Sequence, residues 1–134
     1  MLDTTTSYAL IKTVSTDFDT TITAIKAALA EQGFGILTEI DVSGTLKKKL
    51  NVETPKTLIL GACNPHLAHR ALQAVPNVSV FLPCNVVVRE NHAGIVEIAA
   101  MNPEAMGEVI NHPELSLVAK EADQRIRTAL NAIH

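Results

Sequence analysis

The sequence predicts an α+β fold with two layers, in which an antiparallel-dominated sheet of about five strands carries helices on one face. The 134-residue chain is 47% apolar and 19% charged, which is typical of one globular domain over residues 1–134. Its periodic segments follow the order strand, helix, strand, short helix, strand, helix, two hairpin strands and helix. Few of these connections are helical crossovers, which favours antiparallel over parallel pairing.

The first helix is the clearest element of the first half. Residues 8–14 alternate as a strand, and Thr16 or Asp17 then provides an N-cap. Gly33 stands where a C′ glycine ends a helix. Between them, apolar residues recur at helical spacing: Phe18, Ile22, Ile25 and Leu29.

The next segments form two strands around a short helical turn. Residues 35–42 predict a strand with Ile36 and Ile40 on one face and Glu39 on the other. Leu46 and Leu50 anchor the helical turn. Residues 57–62 are apolar on both faces, which is typical of a central strand.

The second half contains a helix, a hairpin and two further helices. Asn64-Pro65 is a cap and first-turn pair, and the helix that it opens runs to about residue 74. Residues 78–90 then predict a long interrupted strand, paired in a hairpin with residues 94–101. Asn102-Pro103 begins a short helix, and Pro113 opens the last one. We expect four residues of the first of these helices to face inward: Ala68, Ala71, Leu72 and Val75.

The apolar run at residues 82–88 is the first candidate for a functional site. Pro83 cannot donate to a strand ladder, so it predicts an edge or a bulge, where backbone groups are free to bind. Cys84 is then either a reactive thiolate, a soft metal ligand or a small buried apolar residue. Asn85 is disfavoured within strands and is a candidate ligand-binding residue.

A second candidate lies at the junction of the third strand and its helix. Cys63, His66 and His69 form a C-x2-H-x2-H spacing, whose side chains suit zinc or copper. The alternative is a buried cysteine followed by two surface histidines, with Asn64 as a helix cap. A Cys63–Cys84 pair would make a redox disulfide or a two-thiolate site, although no CxxC motif supports it.

Composition excludes several classes of function. A net charge of −3 and an aromatic content of 3% argue against nucleic acid binding, which depends on basic surfaces and on aromatic side chains that stack with bases. The sequence has no signal peptide and no membrane span, and its two cysteines make no disulfide framework, so we expect a cytoplasmic protein. It also lacks GxGxxG, P-loop, GxSxG and HExxH motifs, which argues against a conventional nucleotide-dependent enzyme.

The sheet face away from the helices is expected to be apolar, with residues such as Val87 and Ile95 exposed on it. A second copy of the chain is the natural cover for such a face, so we predict a homodimer.

Two motifs resemble those of domain-of-unknown-function family 302: GACNPHLAHRAL at residues 61–72 and LPCNVVV at residues 82–88. The resemblance extends over nearly the whole chain, and it implies a sheet similar to that of TATA-binding protein, helices on one face, and a dimer. It does not imply an activity, and it does not identify a cofactor.

The candidate residues together predict a dimeric, non-enzymatic module that binds or senses a small ligand or a metal ion. Two alternatives remain, a thiol-dependent enzyme or redox protein that uses Cys84, and a purely structural interaction protein. The expected site comprises five residues: Cys84, Asn85, Cys63, Asn64 and His66. Candidate metal ligands are Cys84, Cys63, His66 and His69.

Overall fold

A computed structural model describes residues 2–134. The strands are β1 (Thr4–Thr5), β2 (Ala9–Val14), β3 (Gly35–Asp41), β4 (Thr57–Cys63), β5 (Cys84–Glu90) and β6 (Val96–Met101). The α-helices are α1 (Phe18–Glu31), α2 (Val42–Leu50), α3 (Pro65–Ala74), α4 (Pro103–Val109) and α5 (Pro113–Asn131), and a 3-10 helix spans Pro76–Phe81.

The strands form one sheet in the order β1-β2-β6-β5-β4-β3, and every neighbouring pair is antiparallel. The helices pack on one side of this sheet, so the predicted α+β class and two-layer arrangement are confirmed. The sheet has six strands where the sequence predicted about five, because the two-residue strand β1 adds an edge beside β2.

Local capping explains where the helices begin. The side chain of Asp17 accepts a hydrogen bond from the backbone N–H of Thr20 at the start of α1. The starts of α3, α4 and α5 each combine a side-chain cap with proline in the first turn, where a missing N–H costs little. Gly33 has a φ of +84° just after α1, as predicted for a C′ glycine.

Buried apolar residues form two clusters. The sheet cluster lies between the sheet, α1 and the C-terminal half of α5, and includes Leu10, Val88, Ile98 and Leu130. The helical cluster lies among α3, α4, the 3-10 helix and the N-terminal half of α5, and includes Leu115. Helix α5 therefore supplies side chains to both clusters.

Two predicted side-chain orientations are wrong. A bulge between Ile36 and Thr38 shifts the register of β3, so that Ile36 opposes Ala62 on the helix side while Ile40 opposes Ile59 on the open side. In α3 the buried leucine is Leu67, whereas Leu72 is exposed.

The predicted strand over residues 78–90 is also shorter than expected. Its first part is the 3-10 helix Pro76–Phe81, and pairing begins only at Cys84. Pro83 precedes the strand and lies against Gly61 on the open side of the sheet, where no ladder bond is required of it.

The face of the sheet opposite the helices carries an apolar row across five strands. The members of this row oppose one another in the strand register: Ile11, Ala99, Val87, Ile59 and Ile40. The next row is polar, and in it Arg89 lies 3.5 Å from Glu97. Ile95 is exposed, but it lies in the connection between β5 and β6 and not in the predicted strand over residues 94–101. Val87 is half-buried on the open face.

Within residues 2–134, no helix combines the length and the apolar character that crossing a membrane requires.

Candidate functional site

A cavity lies at one end of the sheet, where three adjacent strands begin or end. Cys63 is the last residue of β4, Cys84 is the first of β5 and Met101 is the last of β6. Because β5 is antiparallel to both neighbours, these three residues meet at the same edge. Helices α3 and α5 and the first part of α4 close the other side of the cavity.

The cavity lies at the seam between the two core clusters and has a volume of about 30 Å³, room for one or two water molecules. Its walls are small and apolar side chains with four sulfur-containing residues among them. The lining residues are Phe34, Ala62, Cys63, Asn64, Leu67, Ala68, Ala71, Leu82, Cys84, Met101, Pro103, Met106, Val118 and Ala122.

Cys84 points to the helix side of the sheet, in the same row as Ala62, its partner in the register. Burial raises the pKa of the Cys84 thiol to about 11, and the negative charge of a Cys63 thiolate adds to this shift. The thiol therefore stays protonated near neutral pH, whereas an activated nucleophilic cysteine needs a lowered pKa.

Both cysteines are free and half-buried. Cys63 lies one residue beyond the register partner of Cys84, and successive side chains of a strand point to opposite faces. Both residues nevertheless line the same cavity. The two cysteines are therefore close together in the fold, which the sequence alone could not establish.

Asn64 is a buried side chain that closes one wall of the cavity. Its Oδ1 accepts a hydrogen bond from Leu67 N at 3.3 Å and caps α3, as predicted. Its Nδ2 donates to Gln32 O at 3.3 Å, and this carbonyl also accepts a 3.1 Å bond from Arg125 Nη1. Both polar ends of Asn64 thus have partners, and neither is free for a guest molecule.

Ion pairs extend this contact along the outer side of α5. Arg125 Nε lies 3.2 Å from Glu121 Oε2, and the other oxygen of Glu121 lies 3.3 Å from Arg70 Nη1. Arg70 Nε also lies 3.1 Å from Glu114 Oε1. This charged belt joins α3 to α5 beside the cavity.

The remaining candidate residues lie away from the cavity lining. Asn85 is exposed on β5 and, by the alternation of the strand, points to the open face. His66 and His69 are exposed on α3. In the part of the chain that the structure describes, no three side chains of the His, Cys, Asp and Glu types come close enough to hold a metal ion. The C-x2-H-x2-H spacing therefore does not assemble a metal site.

Sequence reasoning missed Met101 and Met106 as neighbours of the two cysteines. Met101 ends a strand that the sequence did predict, and an antiparallel meander places that end beside the start of the preceding strand. No comparable pattern in the sequence points to Met106, whose approach to the cavity depends on how α4 packs.

Comparison with known proteins agrees with this architecture. The family model described as "Domain of unknown function DUF302" matches residues 10–133. The crystal structure of an uncharacterized conserved DUF302 protein from Bacillus stearothermophilus is similar, with a TM-score of 0.88 and 29% sequence identity. The match covers 94% of this chain and 98% of the other. No curated protein matches the chain. The chain therefore belongs to the DUF302 family, as its two motifs indicated.

Proposed function

We propose that this protein is a non-enzymatic binding or sensing module, which takes a small ligand or a metal ion into the cavity beside Cys84. The observation that carries the proposal is the convergence of Cys63, Asn64 and Cys84 on one cavity at the end of the sheet. Cavities between packed elements are common binding sites, and this one lies where two separate core clusters meet.

The chemistry of the cavity supports binding over catalysis. Its lining has no ionised acid or base, and the raised pKa of Cys84 disfavours a thiolate nucleophile. A volume of about 30 Å³ is also far below the several hundred Å³ of a site for a typical organic substrate. A compact guest fits these walls best.

Native mass spectrometry combined with metal analysis of the purified protein tests this proposal, because it reports subunit count and bound species together. We expect a bound mass or metal in the wild type and its loss in Cys84→Ser. His66→Ala is the matched control, since His66 is exposed on α3 and outside the lining, and it should retain the guest. Wild-type protein that carries no guest, or a Cys84→Ser variant that keeps it, would contradict the proposal.

We further propose that the module is a homodimer joined through the open face of the sheet. The apolar row from Ile11 to Ile40 crosses five strands, and the adjacent row carries both Arg89 and Glu97. A two-fold axis brings the same patch of two copies together, so a row with both charge signs can pair with itself. This charge pattern supports a second copy of the chain as the partner that covers the open face of the sheet.

Sedimentation equilibrium of Val87→Asp tests the dimer. A charge in the middle of the apolar row should make the protein monomeric, because two copies would have to bury this carboxylate at their interface. Circular dichroism of the variant checks that the monomer is still folded. Leu117→Asp is the control, since Leu117 is an exposed leucine on α5 and should leave the dimer intact. A monomeric wild type, or a dimeric Val87→Asp variant, would reject this interface.

A further inference from the structure

Among the α-helices of residues 2–134, α2 is the one that has no buried residue. It connects β3 to β4 and packs mainly beside β4, whereas the other α-helices pack on the sheet or on one another. Its ends are well defined, because the Asp41 carboxylate accepts a 2.9 Å hydrogen bond from Gly44 N and Asn51 adopts a left-handed conformation after the last turn. Caps alone do not hold nine residues in a helix, because most helical stability in proteins comes from the packing of an apolar face.

Helix α2 has such a face, and it is not used by the core of its own chain. Val42, Leu46 and Leu50 recur at i, i+4 and i+8, so they form an apolar stripe along one side of the helix. In the part of the chain that the structure describes, none of the three belongs to either core cluster or packs against it. Leu50 is 65% exposed, and Val52, just after the helix, is 41% exposed. The stripe is therefore available for contact with another molecule.

The stripe continues from the apolar row on the open face of the sheet. Ile40 is the member of that row on the edge strand β3, and Val42 begins the stripe two residues later. The open face alone is small for a dimer. Three rows of side chains across five strands cover roughly 400 Å² of flat area, whereas a standard interface buries about 800 Å² per partner. Helix α2, which is about 14 Å long and about 10 Å wide, supplies contact area that the sheet face lacks.

Charge also favours a second copy of the chain as the partner of α2. Residues 42–56 contain four lysines and one glutamate, so this segment carries a net charge of +3. Because the whole chain carries −3, the remainder of the chain carries −6. Lys49 flanks the apolar stripe, three residues after Leu46, and it forms no ion pair among the residues that the structure describes. The basic segment of one copy and the acidic remainder of another therefore attract each other.

We propose that α2 of each copy packs on the other copy in the homodimer, with Leu46 and Leu50 against the partner's apolar surface and Lys49 beside its acidic side chains. This inference rests on the proposed dimer and names a second element of the interface. A two-fold axis places both α2 helices in equivalent contacts, so each subunit provides one helix and receives one. The packing that α2 lacks within its own chain then comes from the partner.

Sedimentation equilibrium over a series of protein concentrations measures the dissociation constant of the dimer. We expect Leu50→Glu to raise this constant roughly tenfold or more, because the interface would have to bury a carboxylate. Leu117→Glu is the matched control, since it makes the same exchange at an exposed leucine of α5 and should leave the constant unchanged. Circular dichroism checks that both variants are folded.

Charge reversal on two sides of α2 tests which side faces the partner. Lys49→Glu should raise the dissociation constant several-fold, and added salt should reduce the difference from wild type. Lys48→Glu is the control, because Lys48 lies on the side of the helix opposite the stripe and should have a smaller effect. Equal effects of the two reversals would overturn the placement of this side of α2 on the partner.

The outcome for α2 is separable from the outcome for the open face. If Val87→Asp is monomeric while Leu50→Glu dimerises as tightly as wild type, the open-face dimer stands and the α2 contact is rejected. If Leu50→Glu weakens a dimer that Val87→Asp leaves intact, the α2 contact stands and the open-face interface fails. A monomeric wild type rejects both, and its binding to vesicles that contain phosphatidylserine would assign α2 to a membrane surface instead.

Discussion

The two halves of helix α5 pack in different surroundings, and the difference explains where the cavity lies. The C-terminal half, with Ile126 and Leu130, packs on a sheet whose inner face is filled with Leu, Ile and Val side chains. The N-terminal half, with Leu115 and Val118, packs against short helices. Ala122 lies between the halves and lines the cavity. Free volume thus occurs where a regular sheet core meets an irregular helical one.

The comparison of the two clusters shows how a small protein can combine a closely packed core with a cavity that could hold a ligand. The sheet cluster is bounded by continuous strands, whose hydrogen bonds fix the positions of its side chains. The helical cluster is bounded by α4, the 3-10 helix and α3, which are short elements joined by turns. Interiors are otherwise close-packed, so a cavity survives most readily where two packing patterns do not interlock.

Truncation of one leucine in each half of α5 should have the largest effect. Leu130 and Leu115 are both fully buried, so each change to alanine should lower the free energy of unfolding by about 2–5 kcal/mol. We expect Leu130→Ala to cost more, because the sheet beside it cannot collapse into the space, whereas the short helices around Leu115 can shift. Urea unfolding followed by circular dichroism measures both values. The reverse order would mean that the helical cluster is the more rigid of the two.

Enlarging one alanine of each cluster tests the free volume directly. Ala129→Val in the sheet cluster should cost about 1–3 kcal/mol by overpacking, because Ala129 is buried there and does not line the cavity. Ala122→Val should cost about 1 kcal/mol less, since the added methyl groups can enter the cavity. Both changes exchange the same residues in the same helix, so their difference in helix propensity cancels. Equal losses in urea unfolding would show that the cavity cannot accept the methyl groups.

The sheet cluster is also the part that the sequence predicted best. Its strands and its two long helices have clear periods, and Asp17 and Gly33 mark the ends of α1 by local chemistry alone. The error at β3 has a definite cause. The bulge between Ile36 and Thr38 depends on pairing with β4, and it places Ile40 on the opposite face from Ile36, whereas the sequence predicted one shared face.

The helical cluster and its cavity were less predictable, because they depend on contacts between elements distant in sequence. Cys63, Asn64 and Cys84 were identified from local breaks in the strand pattern, and all three line the cavity. Asn85 and His66 were assigned to the same site by proximity in the chain, but strand alternation and the exposed side of α3 place them elsewhere. Met106 comes from the packing of α4, which no local pattern specifies.

The pH dependence of stability tests how well the cavity excludes water, because the Cys84 thiol lines the cavity and titrates. Because burial raises the pKa of Cys84 from 9.0 to about 11, the folded protein holds this proton more tightly than the unfolded chain. The associated stability is fully present below pH 9 and is lost as the pH rises toward 11, by on the order of 1–3 kcal/mol. Urea unfolding of wild type and Cys84→Ala between pH 8 and about 11 isolates this contribution, since other groups titrate equally in both.

Cys84→Ala should therefore show a shallower decline of stability over this range than the wild type. Parallel declines in the two proteins would mean that water reaches the thiol in the folded state. Alkylation by iodoacetamide gives an independent measure, because only the thiolate reacts. In the Cys63→Ser background, which removes the smaller contribution of the Cys63 charge and leaves that of burial, the rate at Cys84 should still rise as the pH increases beyond 9.

The charged belt that joins α3 to α5 should contribute least to the free energy of unfolding. Arg125 contacts Glu121 and Gln32 O, but about 40% of its side chain is exposed to solvent, where ion pairs contribute about 0–1 kcal/mol. Arg125→Gln should therefore lower the free energy of unfolding by at most about 1 kcal/mol, and added salt should shrink the difference from wild type. A salt-independent loss above about 2 kcal/mol would mean that the Arg125 contact with Gln32, beside the Asn64 wall of the cavity, holds the two clusters together more than apolar packing does.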